Sequence, residues 1–416
     1  MTGLARRLGL GDAVFIGLGS MIGAGVFVAV GPAARAAGTG LLIGLAVAAV
    51  VAYCNATSSA QLAAAYPRAG GTYLYGREVL GPWWGFAAGW GFMVGKVASA
   101  AAMAMTFAAY AAPGAERPVA AAVVVALTLV NCSGVTRTAL LTRVIVTLVL
   151  AGLAVVVAIC LDAGSTGRLG DWSAPEHGAY GVLQAAGFLF FAFAGYARIA
   201  TLGEEVRDPA RVIPQAIVIA LALAVVVYGL VAVGALMVLG PDELADSSAP
   251  LADAVRAASA GWALPVVRVA AALASAGALL ALVAGLGRTG LAMARERDLP
   301  VYLAAVHPRF GTPHRAELAA GSAILVLVLT VDVRGAIGFS SFGVLVYYLV
   351  ANLAAHRQPA QARRFPRPLE VLGAAGCLLL VATLPPTAVA AGLAVLAVGV
   401  VVRLVRLRLD RSPAGP

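Results

Sequence analysis

One ionisable side chain stands alone in an apolar part of this sequence. Lys96 is the only lysine of the chain, and no other charge lies between Glu78 and Glu116. A lysine at membrane depth normally faces a cavity, a partner or backbone carbonyl groups, because exposing its charge to hydrocarbon costs at least ~3 kcal/mol. Such an amine can hold and release a proton, or it can bind carbonyl oxygen atoms.

The residues around Lys96 indicate which way it points. Helical spacing places Lys96 on one face with Ser99, Met103, Thr106 and Tyr110. A neighbouring stripe of small residues would let another helix approach closely: Gly91, Gly95, Ala98 and Ala102. We therefore expect the Lys96 face to look into a helical bundle, with no acidic partner for the amine inside any span.

Two other segments predict interrupted helices. The first, GLGSMIGAGVF at residues 17–27, carries four glycines, each of which costs about 1 kcal/mol relative to alanine inside a helix. The second, FFAFAGYARIATLGEEVRDPARVIP at residues 190–214, has Gly195 in its apolar part. A single glycine pair would more simply indicate close helix packing. Two breaks in corresponding positions favour a binding centre, in which free amides hold a carboxylate and free carbonyls hold an ammonium, as in an amino-acid zwitterion.

The composition requires a membrane around these elements. The chain of 416 residues is 61% apolar and 12% charged, whereas soluble domains are about 25% charged. We predict an all-α membrane protein with about 12 transmembrane helices. Their approximate ranges are 13–35, 40–65, 83–111, 118–136, 139–161, 180–202, 212–239, 263–287, 316–332, 336–355, 369–384 and 387–403.

The positive charge of the chain is distributed by topology. The net charge is +10, and most arginines fall in alternate loops, which predicts cytoplasmic N- and C-termini in the cytoplasmic membrane. This distribution argues against a nucleic-acid partner. We divide the chain into a cytoplasmic tail at 1–12, a transport core at 13–356 with halves 13–162 and 180–356, and two further helices with a basic tail at 357–416.

Four stretches resemble the amino acid, polyamine and organocation (APC) permease superfamily. They are GSMIGAGVF in the first helix, AYPRAGGTYLYGREVLG after the second, FFAFAG with EEVRDPARVIPQAI in the sixth, and LAMARERDLPVYLAAVHPRFGTP after the eighth. The resemblance implies a LeuT-type fold, with a 5+5 inverted repeat, discontinuous helices 1 and 6 and two added C-terminal helices. It also implies coupled transport of amino acids or related amines.

The resemblance also assigns roles to individual positions. Substrate-binding positions are expected at Met21, Gly23, Ala24, Gly25, Phe191, Ala192 and Ala194, with backbone amides for the carboxylate and carbonyls for the amine. Phe191 matches an aromatic gate, and Arg198 fits either a cytoplasmic gate or a side chain that reaches the interface. Phe190 and Phe193 are interpreted as packing residues. In the inner loop, Glu204, Glu205, Arg207 and Asp208 fit a solvated cluster or a loop lock.

The sequence departs from the family at helix five. Several relatives carry a lysine there, and the corresponding position here is near Val149. Helix eight offers one hydroxyl, Ser275, whereas a hard cation such as sodium needs several oxygen ligands. We hypothesise that Lys96 replaces the missing lysine as the coupling group, near the substrate cavity or the carbonyls of residues 19–23. The alternatives are that Lys96 is structural, or that it contacts an acidic substrate side chain.

These features favour one function over three others. A proton-coupled symporter or exchanger for amino acids comes first. A polyamine or organic amine exchanger is disfavoured because no acidic residue within the spans would bind a second ammonium. An amino-acid sensor that does not transport remains an alternative. An intramembrane enzyme lacks a catalytic cluster, and we predict no cofactor, no metal site and no disulfide. Ser340, Ser341 and Tyr347 are candidates for the substrate side-chain pocket.

Overall fold

The computed structural model describes residues 8–66, 70–134, 139–169, 178–202 and 205–409, and within these ranges it contains helices and no strand. The first half comprises α1 (Leu10–Met21), α2 (Ala24–Val28), α3 (Val30–Ala37), α4 (Leu41–Ala65), α5 (Gly71–Leu80), α6 (Pro82–Ala111), α7 (Glu116–Cys132) and α8 (Ala139–Ala163). The rest comprises α9 (Gly178–Phe193), α10 (Ala197–Ala200), α11 (Pro209–Asp246), α12 (Pro250–Ala257), α13 (Leu264–Arg295), α14 (His314–Thr330), α15 (Val333–His356), α16 (Arg367–Thr383) and α17 (Pro386–Leu409).

Eight helical segments in the described part of the chain are long and apolar enough to cross a membrane. They are Leu10–Val28, Val30–Ala65, Pro82–Ala111, Ala139–Ala163, Pro209–Asp246, Gly261–Arg295, Val333–His356 and Pro386–Arg408. The other four predicted spans correspond to α7, α9, α14 and α16, which have 17, 16, 17 and 17 residues. The chain is therefore a multi-pass, all-helical membrane protein, as its composition predicts.

Both predicted interruptions are present. The first apolar segment is helical up to Met21 and starts again at Ala24, so Ile22 and Gly23 form a break. The second stops at Phe193 and starts again at Ala197, so the turn contains Gly195. We call these the first break (residues 22–23) and the second break (residues 194–196).

The two stripes on α6 lie where helical spacing places them. Lys96 and the four other residues of its face are buried, with exposed fractions of 8% or less. The small stripe packs against α15: a Cβ atom added to Gly95 would lie 3.0 Å from both the Ser340 carbonyl oxygen and the Val344 nitrogen. Glycine therefore allows backbone contact between these two helices, which confirms both parts of the prediction.

The predicted topology places the N-terminal segment and the loop before α11 on the same side of the membrane, and these two segments contact each other. The Leu8 amide donates to the Glu205 carbonyl at 3.1 Å, and the Arg207 amide donates to Leu8 at 2.9 Å. These bonds join the N-terminal segment to the loop before α11. At the opposite side of the predicted topology, Arg35 at the end of α3 pairs with Asp246 at the end of α11, at 2.6 Å.

A buried ion cluster joins α17 to α5, α6 and the segment after α13. Asp298, which is 4% exposed, accepts a hydrogen bond from Tyr73 at 2.9 Å and pairs with Arg77 at 3.2 Å and Arg403 at 2.8 Å. The Arg403 guanidinium also lies over the rings of Trp83 and Phe86, 4.7 and 4.6 Å from their centroids. Burial raises the pKa of the Asp298 carboxyl, and these donors oppose that rise.

The remaining predictions concern the cysteines and the ionisable residues, and the structure describes only some of these residues. All four cysteines lie among the described residues, and all four are free. Several ionisable residues lie outside the described residues, and one of them, Glu204, belongs to the inner-loop cluster: Arg6, Arg7, Arg68, Arg137, Asp171, Glu176, His177 and Glu204.

The ion cluster predicts a large effect of Asp298→Asn. The variant leaves the buried Arg403 guanidinium without its carboxylate, and breaking a buried ion pair in this way costs about 3 kcal/mol. We expect a clearly lower unfolding midpoint of the detergent-purified protein. Asp253→Asn is the matched control, because Asp253 pairs with Arg256 on the surface and surface pairs contribute under about 1 kcal/mol. Equal midpoints for the two variants would contradict the prediction.

Candidate functional site

The first break leaves backbone groups of α1 and α2 without their usual helical partners. The Ile22 amide still donates to Leu18, at 2.6 Å, and the Gly23 amide donates to the Met21 carbonyl at 2.8 Å. Ala24 and Gly25 then open α2, so their amides lie in the first turn of a new helix. The predicted carboxylate site thus retains the Ala24 and Gly25 amides, while that of Gly23 is engaged within the break.

The second break lies directly against the first. A Cβ atom added to Gly195 would be 2.2 Å from the Ser20 carbonyl oxygen and 2.5 Å from the Met21 nitrogen. A Cβ atom added to Gly25 would be 2.7 Å from the Cα atom of Ala192. These two glycines therefore permit backbone contact between α1–α2 and α9–α10, and any larger residue would separate the breaks.

A tyrosine of α11 joins the carbonyl groups of both interrupted helices. The Tyr228 hydroxyl lies 2.7 Å from the Met21 carbonyl oxygen and 2.9 Å from that of Ala192. A phenol has one proton and donates to one acceptor at a time, so the two carbonyls share a single donor. Met21 and Ala192 were both predicted to bind a substrate amine, and the structure brings them together.

Lys96 reaches the second break. Its amine, on a side chain that is 7% exposed, donates to the Ala194 carbonyl oxygen at 3.2 Å. The Tyr348 hydroxyl of α15 donates to the same oxygen at 3.3 Å. The partner of Lys96 is therefore a predicted substrate-binding carbonyl in the sixth predicted span, and not a carbonyl of residues 19–23 as expected.

The breaks are closed in this conformation. The carbonyls of Met21, Ala192 and Ala194 all have donors within the protein. A void beside Gly25 and Ala192 measures about 10 Å³, roughly the room for one water molecule, whereas ligand pockets usually exceed 300 Å³. A bound amine would have to replace these internal donors.

Helix α8 contributes no charge to the first break. A Cβ atom added to Gly19 would lie 2.9 Å from Cγ2 of Val146 and 3.3 Å from Cγ2 of Thr142. Val149, one turn further along α8, is 1% exposed. The side of α1 that faces α8, just before the first break, is thus lined by Val146 and Thr142.

Helix α13 also packs on the first break. A Cβ atom added to Gly23 would lie 3.0 Å from Cβ of Ala278. Ser275, one turn earlier, is fully buried, and its hydroxyl has no hydrogen-bond partner in the described part of the chain. Among the described residues, no group of three or more His, Cys, Asp or Glu side chains could hold a metal ion.

The predicted gate residues have different surroundings. Phe191 is 6% exposed, close to Ala192 in the last turn of α9. Arg198 is half-buried, and its guanidinium donates to Oγ1 of Thr201 at 3.1 Å. Phe190 and Phe193, interpreted as packing residues, are fully buried and lie against Tyr348 and Tyr228, with ring centroids 5.9 and 4.9 Å apart.

The three residues of α15 that are candidates for the substrate side-chain pocket have different surroundings in the structure. The Ser340 hydroxyl hydrogen-bonds with that of Ser99 at 2.6 Å, one turn from Lys96. Tyr347 accepts from the Thr72 amide at 3.0 Å, so its hydroxyl is engaged with α5. Ser341 is buried, and its hydroxyl has no partner among the described residues.

The prediction that no carboxylate lies within a span is wrong at two positions. Glu317 and Glu370 are 3% and 2% exposed and lie in the first turns of α14 and α16. Glu370 binds Gln61 at 2.7 Å and the His356 ring at 3.2 Å. Glu317 packs against Gly287, where an added Cβ atom would lie 2.4 Å from its Cγ. Within the described part of the chain, neither carboxylate forms a hydrogen bond or an ion pair with Lys96.

Two tyrosines of the site were missed from the sequence. Tyr228 is the only polar residue in the run AIVIALALAVVVYGLVAVGALMVL, residues 216–239. An isolated phenol in such a run needs a hydrogen-bond acceptor when buried, and this signal could have identified it. Tyr348 follows Tyr347 in α15, and nothing in the sequence distinguishes which of the two faces Ala194.

In this multi-pass membrane protein, the polar centre consists of carbonyl groups at two interrupted helices. This arrangement is typical of transporters. The comparisons with known proteins are more specific. The model of the amino acid permease family matches residues 8–403. The chain belongs to this family, and thus to the APC superfamily, which confirms the resemblance. Its family and its named relatives are transporters and not enzymes.

The relatives differ in what their names state. An uncharacterized transporter of Mycobacterium tuberculosis is 58% identical over 98% of this chain and 93% of its own length. Cationic amino acid transporter 7, chloroplastic, of Arabidopsis thaliana is 32% identical over 85% of this chain and 66% of its own length. The branched-chain amino acid permease BcaP of Bacillus subtilis is 26% identical over 88% and 84%.

The contact between the breaks predicts the effect of Gly195→Ala. The added methyl group meets the backbone of Ser20, which cannot rotate away, so we expect a loss of about 3 kcal/mol and loss of ligand binding. Gly229→Ala on α11 is the control, because an added Cβ atom there meets nothing within 4 Å. Thermal unfolding of both purified variants checks this. A Gly195→Ala protein as stable as Gly229→Ala would show that the breaks do not pack as described.

Proposed function

We propose that this permease moves amino acids across the cytoplasmic membrane by alternating access, as a proton-coupled symporter or an exchanger. One observation carries the proposal: the two helix breaks face each other, and Tyr228 lies between the carbonyls of Met21 and Ala192. A substrate ammonium carries three donors and can satisfy both carbonyls at once, whereas the phenol supplies one proton. Exchange of donors at these carbonyls would accompany binding.

The substrate's head group spans the two breaks in this proposal. Its carboxylate binds the Ala24 and Gly25 amides, where the positive end of a helix favours an anion. Its ammonium binds the carbonyls of Met21, Ala192 and Ala194. The packing of Gly25 against Ala192 supports this arrangement, because it places the amide side and the carbonyl side of the proposed site in contact.

The proposed carrier has 12 transmembrane helices, with residues 13–162 and 180–356 forming inverted halves of a LeuT-type core. Helices α16 and α17 add two spans to it, and both termini are cytoplasmic. The corresponding positions of the two breaks support the repeat. The bonds of Leu8 with Glu205 and Arg207 support placing the N-terminus and the loop before α11 on one side.

Lys96 is the coupling group in this proposal. Its amine binds the Ala194 carbonyl, so protonation of Lys96 and binding of a substrate ammonium act on the same acceptor. A change at either group therefore changes the other, as linkage requires. Phe191 and Arg198 are proposed as gates: the first beside the proposed substrate carbonyls and the second in α10.

Counterflow in liposomes tests transport directly. Liposomes containing the purified protein and a high internal concentration of one unlabelled amino acid should transiently accumulate the labelled form. A thermal-shift screen against all amino acids and common amines selects that compound. An amino acid that stabilises the protein but gives no counterflow would identify a sensor, and stabilisation by polyamines alone would favour an organic amine exchanger.

Lys96 variants test the coupling group. We expect Lys96→Ala to lose the pH dependence of uptake, and Lys96→Arg, whose side chain cannot release its proton, to be slower by about tenfold. Uptake by proteoliposomes between pH 5 and 8 gives both results. Arg117→Ala, at an exposed position of α7, is the control. Normal rates with a normal pH profile in both Lys96 variants would reject the role.

A further inference from the structure

We propose that Lys96 makes the substrate site reject amino acids with cationic side chains and accept neutral and acidic ones. This inference rests on the proposed function and goes further, because it specifies the charge class of the substrate. It predicts that this chain differs in substrate from the Arabidopsis relative, whose name states that it transports cationic amino acids.

The first step is the position of the amine. Lys96 binds the carbonyl of Ala194, which is also a proposed acceptor for the substrate's ammonium. The side chain of a substrate held there begins one bond from that ammonium. Its terminal charge would lie within about 10 Å of the Lys96 amine, which is close to the distance at which salt screens charges in water. Screening inside a closed site is weaker.

The second step is the charge balance of the interior. The buried charged residues in the described part of the chain are Lys96, Asp298, Glu317, Glu370 and Arg403. Asp298 is paired with Arg77 and Arg403, Glu370 binds Gln61 and His356, and Glu317 packs at the start of α14. None of the three carboxylates contacts either break.

The third step concerns what else faces the amine. Around Ala194, Tyr348 donates to the same carbonyl, and Tyr196 stacks on Tyr348 with centroids 4.9 Å apart. On its own helix, the nearest polar neighbour is Ser99, which is bonded to Ser340. Phenols and hydroxyls do not neutralise a second cation. In the described part of the chain, the site therefore has the positive charge of Lys96 and no buried carboxylate in contact with it to receive a lysine- or arginine-like side chain.

The test compares substrates that differ in charge and little in size. The pairs are arginine with citrulline, diaminobutyrate with homoserine, and aspartate with asparagine. Half-saturating concentrations come from thermal shifts of the purified full-length protein at pH 6. We expect the wild-type protein to bind citrulline and homoserine more tightly than their cationic partners, by on the order of tenfold.

The variants separate an electrostatic role from a structural one. Lys96→Met keeps most of the side-chain length and removes the charge, so the cationic member of each pair should gain and aspartate should lose relative to asparagine. Lys96→Arg keeps the charge and should keep the wild-type order. Arg256→Met, at an exposed position of α12, is the control. A purely structural lysine would weaken both members of each pair equally.

The outcomes distinguish this inference from the proposed function. Wild-type protein that binds arginine and diaminobutyrate as tightly as their neutral partners overturns the inference, while counterflow of a neutral amino acid leaves the transport function in place. Unchanged ratios in Lys96→Met overturn it as well. Binding of no member of any pair, together with no counterflow, overturns both. The wild-type comparison needs no variant to fold.

Discussion

The structure depends on one constraint: a backbone that leaves its helix inside a membrane must find other hydrogen-bond partners, because hydrocarbon offers none. The two breaks meet this constraint jointly. Gly195 lies against the Ser20 carbonyl, Tyr228 lies between the carbonyls of both interrupted helices, and Lys96 with Tyr348 satisfies Ala194. Each break therefore holds the other in place. The polar centre of the protein consists of the backbone groups of both breaks together with the side chains that satisfy their hydrogen bonds.

The helix breaks could be predicted from the sequence because their cause is local. Gly23 and Gly195 weaken the helices in which they occur, and this effect depends on the residue type alone. The face of Lys96 could be predicted for the same reason, since helical spacing determines which side chains share a side. The resemblance to permeases then added the positions of the carbonyls that are predicted to bind substrate, whose proximity the structure describes.

Other features depend on which helices become neighbours, and a single sequence does not contain that information. The helical pattern of α6 gives the direction of Lys96 but not the helix that it faces. Lys96 was therefore expected to contact the first break, whereas it contacts the second. Tyr228 is distant in sequence from both of its acceptors. Glu317 and Glu370 lie at helix starts, where burial is decided by the residues packed around them and not by their own segment.

The ion cluster around Asp298 has a consequence for assembly during synthesis. Its more buried cation, Arg403, belongs to α17, which is synthesised after Tyr73, Arg77 and Asp298. Until α17 inserts, the Asp298 carboxylate lacks its ion pair with Arg403. The rings of Trp83 and Phe86 also lack the Arg403 guanidinium that lies over them. The cluster thus forms only after α17 has inserted, so the packing of α5 and α6 around Asp298 is completed by a helix that is made after them.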